Sequence, residues 1–383
     1  MRPRRQAMPV VATSIAVALW TAWWAWRAWP VSGLSWHFFA DGSRLLLHGS
    51  GLNLFAEHPE LQTGPLSLAV AALLGPLPVN IAKSVALIAM TAVGPLLLVV
   101  LAPLVPATRR HRRMLIAAIV MTPAWTVLSV RWGHLDDVLA MALAILAVRA
   151  VCADRPVLAG AALAAAIAAK PWAVGFLPLL LALPRDRLRA AVTAAAGTAA
   201  AWGPFVLANP RTLGALHPPV GLSPASGLHA LGARGTLVPA WGRALELVLS
   251  PVAALAVALT GRWPGVLLVS VAVRLALDPK DNAYYIGSAA LAAVVFDLLA
   301  TGWTIPWTTL GTVLILWQPF VMDFPHRLQT TTGLTHWWFA NEGIVGALHL
   351  VWSLVMVALV FVVSRPSDRG IALRLKGART SGG

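Results

Sequence analysis

Long apolar runs separated by short polar segments dominate this chain of 383 residues. A helix needs about 20 apolar residues to cross the hydrocarbon core of a membrane. Candidate runs lie at 8–29, 81–105, 114–130, 138–152, 156–169, 172–184, 190–208, 238–260, 264–277, 284–300, 304–321 and 343–363. The pattern predicts an all-α, polytopic integral membrane protein with about 12 transmembrane helices (roughly 10–13, because several runs are short).

The run at 65–79 is interpreted differently. It contains three prolines and is shorter than a crossing requires. Basic residues stay on the cytoplasmic side, so the basic segment 109–113 should lie there. If 109–113 lies in the cytoplasm and the polar stretch 30–64 lies outside, only one net crossing can connect them. We therefore predict that 65–79 is an interfacial or re-entrant helix and that 30–64 is a large outer loop with interfacial helices of its own.

The two ends of the chain are both predicted to lie in the cytoplasm. The first run ends in tryptophans, which favour the headgroup level of a membrane, whereas a signal peptide ends in small residues. Arginines precede this run, so it is predicted to be an uncleaved first helix. The basic segment 364–383 is predicted to be a cytoplasmic tail near anionic lipid. The expected location is the plasma membrane.

Composition narrows the function classes. Hydrophobic residues make up 58% of the chain and charged residues 11%, whereas soluble domains carry roughly 25% charged residues. This excludes a soluble enzyme and a disordered protein. The net charge of +15 does not indicate a nucleic-acid partner, because the basic residues lie between apolar runs. The single cysteine, Cys152, excludes an intrachain disulfide and a cysteine-based metal site.

Most of the 14 acidic residues fall on the predicted outer side of the membrane. These are Asp41, Glu57, Glu60, Asp136, Asp137, Asp278, Asp281, Asp323 and Glu342. Loops need solvating groups, which is the simplest explanation for any one of them. Solvation does not require them to collect on one face, and acidic residues at membrane depth are costly and often functional. Their distribution therefore indicates an outward-facing polar site.

The first outer loop contains the leading candidate, Asp41. Apolar residues on either side predict a short interfacial helix around it, which would hold the carboxylate near the apolar boundary as a proton acceptor. The alternative is a surface ion pair with Arg44 at i,i+3. Further along, Gln62 and Thr63 have neutral groups that suit sugar hydroxyls, although ordinary loop polarity explains them as well.

A second candidate group is the sequence from Arg131 to Asp137, between the third and fourth crossings. One of the adjacent carboxylates, Asp136 or Asp137, can cap a helix start, and the other can enter a site shared with Asp41. His134 with either carboxylate could bind a divalent metal, but one histidine and two aspartates on a short loop are a weak signal. We therefore predict no cofactor and do not favour a metal.

Two lysines next to prolines complete the outer polar groups. Lys170 can reach the headgroups with its long side chain or hold a lipid phosphate as a point charge, and the same applies to Lys280. The loop of Lys280 also contains the only two tyrosines of the chain, Tyr284 and Tyr285. The segment 322–342 mixes aromatic and polar groups that suit a carbohydrate or a membrane interface.

These motifs resemble the GT-C superfamily of membrane glycosyltransferases, and most closely the actinobacterial polyprenol-phosphate-mannose-dependent mannosyltransferases. The resemblance covers residues 30–190, and 191–363 resembles the family mainly in hydropathy. The matching residues are Asp41-Gly42 with Leu45, Leu46 and Gly49, then Gly64-Pro65-Leu66, then Gly133 to Asp137, and then Ala159-Gly160 through Lys170-Pro171. The resemblance divides the chain into a GT-C-like module at 1–190, whose catalytic loop is 30–64, variable transmembrane helices at 191–363 and the tail at 364–383.

The resemblance implies transfer of a sugar, often mannose, from a polyprenyl phosphate to a lipid or glycan acceptor on the extracytoplasmic face. Asp41 would be the general base. Cations near the leaving phosphate would stabilise its charge, and Lys170, Lys280 and Arg131 are the candidates. The predicted substrate-binding residues are Arg44, Gln62, Arg131, His134, Asp136, Asp137, Lys170, Lys280, Tyr284 and Tyr285. Membrane lipids are expected partners, and nucleic acid is not.

Two other interpretations remain open. A transporter or flippase would place ionisable residues near helix midpoints. Most charges in this chain lie at helix ends, and the partial exceptions are Lys83, Arg149, Glu246, Arg274 and Asp297. A non-catalytic membrane scaffold would bind a donor without turning it over.

Overall fold

A computed structural model of the chain describes residues 4–216, 220–319 and 333–363. These ranges contain helices and no β-strand, only one isolated bridge between Gly221 and Leu237. The α-helices of the described ranges are α1 (Arg4–Ala28), α2 (Trp36–His48), α3 (Leu54–Glu57), α4 (Pro65–Ala72), α5 (Val79–Leu101), α6 (Ala107–Thr126), α7 (Leu135–Cys152), α8 (Pro156–Ala169), α9 (Arg187–Ala208), α10 (Gly227–Ala230), α11 (Ala240–Leu259), α12 (Val266–Leu277), α13 (Tyr285–Ala300), α14 (Trp307–Leu316), α15 (Gly333–Ala340) and α16 (Glu342–Val363).

Every predicted apolar run coincides with a helical segment, so the all-helical prediction is confirmed. Within the described residues, five helices are long and apolar enough to cross a membrane: Val79–Leu104, Arg110–Trp132, Arg187–Ala208, Trp241–Leu259 and Glu342–Val363. Shorter apolar helices lie at Pro156–Ala169, Pro171–Ala182, Trp263–Leu277, Tyr285–Ala300 and Trp307–Leu316. The number of crossings, about 12, stays a prediction.

The Lys170-Pro171 step divides one long apolar stretch into two helices. A residue before proline avoids the helical conformation, and Lys170 is extended, with φ −150° and ψ 117°. The α8 helix therefore ends at Ala169, and a 3-10 helix follows at Pro171–Ala182. Such a long 3-10 helix is uncommon, and Pro178 within it removes a backbone donor that an α-helix would need.

Contacts at opposite ends of α6 and α13 define two ends of the helical bundle. Arg113, near the start of α6, donates to the carbonyl oxygens of Asp297 and Thr301 at the end of α13. At the other end, the ring of Trp132 lies 5.5 Å from that of Tyr284, next to the start of α13. The two helices are therefore antiparallel, and the candidate site lies at the end marked by Trp132 and Tyr284.

Backbone hydrogen bonds join the stretch before α2 to Val127–Trp132, the π-helical turn that follows α6. The Gly33 N–H donates to Val130 O at 2.9 Å, and the Ser35 N–H donates to Trp132 O at 2.8 Å. Gly33 and Gly133 both have positive φ, and a Cβ on Gly133 would lie 3.1 Å from the Gly33 Cα. Glycine is required at position 133 for its left-handed backbone and for this close approach.

The far end of the outer loop is bound to the end of α8. The Gly64 N–H donates to Ala169 O at 2.9 Å, and the Ser67 hydroxyl donates to the same oxygen at 3.0 Å. A Cβ on Gly64 would lie 2.1 Å from Ala168 O. Only glycine therefore allows α4 to begin this close to Lys170.

Some predicted groups lie outside the described residues. These are residues 322–332 of the segment 322–342, which include Asp323, together with the tail 364–383. His336 lies in α15 and Glu342 begins α16.

Candidate functional site

The start of α7 brings one imidazole and two carboxylates together. Gly133, with φ 66°, ends a π-helical turn at Val127–Trp132, and α7 begins two residues later. His134 Nδ1 lies 3.1 Å from Asp136 Oδ1 and 3.6 Å from Asp137 Oδ2. Asp136 Oδ1 also accepts the Asp137 N–H at 2.8 Å. Carboxylates in a first helical turn are stabilised by the exposed N–H groups there.

Lys170 forms a buried ion pair with Asp136. Its Nζ donates to Asp136 Oδ2, and the two side chains are 10% and 2% exposed. The sequence suggested that Lys170 reaches the headgroups or holds a phosphate. The structure instead turns this side chain inward, toward the start of α7.

Asp137 is bound by groups from two other helical segments. Trp172 Nε1 donates to Asp137 Oδ1 at 3.1 Å, and Arg274 Nη1 lies 3.6 Å from the same oxygen. The Arg274 guanidinium lies 4.3 Å from the ring centre of Trp172 and 4.6 Å from that of Tyr285. Cation–π contacts of this kind stabilise a desolvated arginine.

Arg274 also joins Asp137 to charges on α11 and α12. Its Nε lies 3.7 Å from Glu246 Oε1, and its Nη2 lies 3.8 Å from Asp278 Oδ2. Arg243 donates to Glu246 Oε2 at 2.7 Å and lies 3.8 Å from Asp278 Oδ2. We define the ionic cluster as His134, Asp136, Asp137, Lys170, Arg243, Glu246, Arg274 and Asp278.

Sequence reasoning placed only half of the ionic cluster in a site. Glu246 and Arg274 were predicted only as charges within helices and Asp278 as an outer acid, and Arg243 was not identified. Their spacing offers a local signal, since Arg243 and Glu246 are i,i+3 and Arg274 and Asp278 are i,i+4 on apolar helices. Such pairs indicate buried ionic groups but not which other helix they contact.

His134 links the ionic cluster to the outer loop and to the tyrosines. Its ring stacks on Tyr284 with centres 3.6 Å apart, and its Nε2 lies 3.0 Å from the Ser35 hydroxyl. Asn282 donates to the Tyr284 hydroxyl oxygen at 3.3 Å.

The other predicted residues lie around the ionic cluster. Gln62 Oε1 accepts from Arg243 Nη2 at 3.3 Å, which joins the outer loop to α11. Arg131 is buried in the π-helical turn. The Lys280 side chain is exposed, while its N–H donates to Asp278 Oδ1 at 3.0 Å.

Asp41 lies outside the ionic cluster. The predicted helix around it is present as α2, and Asp41 forms an ion pair with Arg44 on the exposed face of that helix. The two side chains are 54% and 68% exposed. The opposite face of α2 is buried, and Phe39 on that face lies 6.2 Å from the His134 ring. Asp41 is therefore accessible to a ligand on the exposed face of α2. The buried face of the same helix contacts His134 of the ionic cluster through Phe39.

The three residues at the start of α7 could also hold a metal ion. His134, Asp136 and Asp137 each offer a ligand atom, and these atoms lie within 4.8 Å of one another. A nitrogen with carboxylate oxygens suits a divalent cation. Lys170 already binds Asp136, however, and its positive charge opposes a cation at that position. The ion pair is the simpler account of these carboxylates.

The charges within the ionic cluster nearly balance one another. It contains four carboxylates and three permanent cations, so its charge is close to neutral. The exposed groups near it, Asp41, Arg44 and Lys280, remain available to a ligand.

No family model, curated protein or solved structure matches this chain.

Proposed function

We propose that the chain is a membrane glycosyltransferase. It moves a sugar, with mannose the expected one, from a polyprenyl phosphate to a lipid or glycan acceptor on the extracytoplasmic face. The observation that supports this best is the attachment of the outer loop, at both its ends, to chain segments directly beside residues of the ionic cluster. Gly33 and Ser35 bind the segment that leads to His134, and Gly64 binds the residue before Lys170.

This attachment supports the role of Asp41. A rigid scaffold that holds reactants in line supplies a large part of a rate enhancement. The buried pairs of the ionic cluster fix the two anchor points of the loop, and the loop carries Asp41 on its first helix. The exposed pair of Asp41 with Arg44 opens at a cost of about 0–1 kcal/mol, so Arg44 does not block an incoming hydroxyl.

Asp41 and Lys280 account for the steps of the proposed sugar transfer. Asp41 takes the proton of an acceptor hydroxyl, the hydroxyl oxygen attacks the anomeric carbon, and the bond from that carbon to the phosphate oxygen breaks. The leaving lipid phosphate is already an anion, so the step needs no general acid. Lys280 is the exposed cation best suited to the charge that develops on the phosphate.

The proposal includes a membrane arrangement. With 12 crossings that alternate in direction, the ionic cluster lies at the outer surface and the end marked by Arg113 lies in the cytoplasm. Basic residues favour that cytoplasmic placement. The chain is then a multi-pass plasma-membrane protein with both termini inside.

One observation favours a transporter or flippase as the second candidate. Arg243 and Glu246 are largely buried within Trp241–Leu259, a helix apolar enough to cross a membrane. Ionisable groups inside such helices often mark a pathway for a substrate or ion. Their contacts with Arg274 and Asp278 place them near one end of the bundle rather than at its middle, which favours the transferase.

Labelled polyprenyl-phosphate mannose in membranes distinguishes the two candidates. A transferase moves the label into a new glycosidic bond on a lipid or polysaccharide. A transporter moves the label across a sealed vesicle while it stays on the polyprenyl phosphate. Label that crosses without a new bond would exclude the proposed activity in favour of the alternative.

A further inference from the structure

Four arginines collect at the end of the bundle opposite the ionic cluster. Arg155 directly precedes α8, which runs from this end to Lys170. Arg185, Arg187 and Arg189 lie at the start of α9. All four arginines are exposed, and none forms an ion pair with a described residue. We define these four arginines as the basic patch.

Close contacts between α8 and α9 bring the two parts of the basic patch together. A Cβ added to Gly160 would lie 2.3 Å from Ala190 O, and one added to Gly197 would lie 2.7 Å from Ala164 Cβ. Small residues of this kind let helix backbones approach closely. Both contacts advance in the same direction along the two helices, so α8 and α9 are parallel and begin side by side. The arginines at the two helix starts therefore form one surface.

Positive charge dominates this surface. Two aspartates, Asp154 and Asp186, lie in the same turns, against the four arginines. Both aspartates are exposed, and neither forms an ion pair with a described residue. Arg187 Nε donates to Leu183 O at 2.7 Å, which holds this guanidinium against its turn. The excess of guanidinium groups suits a phosphate, which arginine binds through paired N–H groups.

Exposed apolar side chains adjoin the basic patch on both helices. Val157 and Leu158 follow Arg155 at the start of α8. Leu188 and Val192 lie one turn apart on the same face of α9. Only 17% of the most apolar window of α9 is buried by the rest of the protein. A soluble anion uses only the arginines of such a surface, whereas an anionic phospholipid contacts the arginines with its phosphate and the apolar side chains with its acyl chains.

We propose that this surface binds an anionic phospholipid of the cytoplasmic leaflet. The phosphate lies on the basic patch, and an acyl chain lies along Leu188 and Val192. Basic surfaces between transmembrane helices on the cytoplasmic side are suited to such headgroups. The bound lipid joins α8 to α9 at the end opposite Lys170. This proposal uses the membrane arrangement given above and is independent of the transfer reaction.

Native mass spectrometry of the detergent-purified full chain with added dioleoyl phosphatidylglycerol tests this assignment. One arginine at a lipid headgroup contributes roughly fivefold in affinity, so the double variant Arg155→Gln with Arg189→Gln should bind the lipid about 10- to 30-fold more weakly. Arg112→Gln is the matched control, because Arg112 is an exposed arginine of α6 on the same predicted side. It should bind as the wild-type protein does. Dioleoyl phosphatidylcholine, which has no net charge, should bind weakly to all three proteins.

A further variant and a soluble competitor identify the apolar part of the ligand. Leu188→Ser changes an exposed side chain and should weaken phosphatidylglycerol binding while leaving the lipid-free unfolding temperature unchanged. Glycerol phosphate should not displace the lipid, because it has no acyl chain. Equal lipid affinities of the wild-type protein and the double variant, or an equal loss in Arg112→Gln, would overturn the assignment. Displacement by glycerol phosphate, together with unchanged binding in Leu188→Ser, would show a site for a soluble phosphate and would overturn it as well.

Discussion

At the scale of single residues, Lys170 and Asp136 form a buried ion pair within the site. Both side chains are almost fully buried. A buried ion pair repays the loss of hydration only when both partners are present and further hydrogen bonds complete it. Asp136 has those further bonds from His134 and from the Asp137 N–H. The pair therefore fixes the position of Lys170. This residue directly follows Ala169, whose carbonyl oxygen binds the Gly64 N–H.

Removal of one partner should be strongly destabilising. Lys170→Met leaves the Asp136 charge buried without its cation, which typically costs about 3–5 kcal/mol. The unfolding temperature of the purified protein measures this loss, with Lys280→Met as the control because Lys280 is exposed. Adding Asp136→Asn to Lys170→Met should recover much of the stability. Equal unfolding temperatures for Lys170→Met and Lys280→Met would contradict the buried pair.

At the scale of secondary-structure elements, glycines set how closely the outer loop approaches the bundle. Gly64 begins α4 against the carbonyl oxygen of Ala168. Its N–H is also bound to Ala169. The approach brings the polar loop and its first helix, α2, over the ionic cluster. The loop is therefore part of the folded structure rather than a free tether.

Gly64→Ala should loosen this attachment. The added Cβ would lie 2.1 Å from Ala168 O, and overpacking of this kind costs about 1–3 kcal/mol. Trypsin should then cut after Arg44 roughly tenfold faster, because the loop opens more often. Gly203→Ala is the matched control, since nothing lies within 4 Å of its added Cβ. Identical cleavage rates in the two variants would show that the Gly64 contact does not hold the loop.

The positions of the helices could be predicted from the sequence more completely than the contacts within the candidate site. Apolar runs and the Lys170-Pro171 step give the helix positions, because both signals are local. The helix that carries Asp41 was predicted in the same way. The contacts of Asp137 with Arg274 and of Lys170 with Asp136 join residues far apart in the chain. They depend on how helices pack, and a single sequence does not reveal that packing.

At the scale of the whole molecule, the distribution of charge supports the proposed orientation in the membrane. The chain carries a net charge of +15, and its basic segments lie between apolar helices. The ionic cluster gathers acidic groups at one end of the bundle, while Arg113 binds the opposite end of α13. The positive-inside tendency then predicts that the ionic cluster faces the outer surface.

Cysteine labelling tests this orientation. Cys152 is the single native cysteine and is buried, so a Cys152→Ser background removes it. Glu57→Cys in the outer loop should react with an impermeant maleimide in intact cells, since Glu57 is exposed. Arg185→Cys, also at an exposed position, should react only after permeabilisation. The reverse pattern would invert the arrangement and remove the ionic cluster from the outer face.

The most direct test of the central claim is sugar transfer from labelled polyprenyl-phosphate mannose by membranes that contain Asp41→Asn. The wild-type protein and Glu57→Gln should transfer label to a lipid or polysaccharide, because Glu57 is an exposed acid of the same loop. Asp41→Asn should be slower by about 10²–10⁴-fold, the usual contribution of a general base, at equal expression. Transfer by Asp41→Asn at the wild-type rate would contradict the assignment of Asp41 as the base.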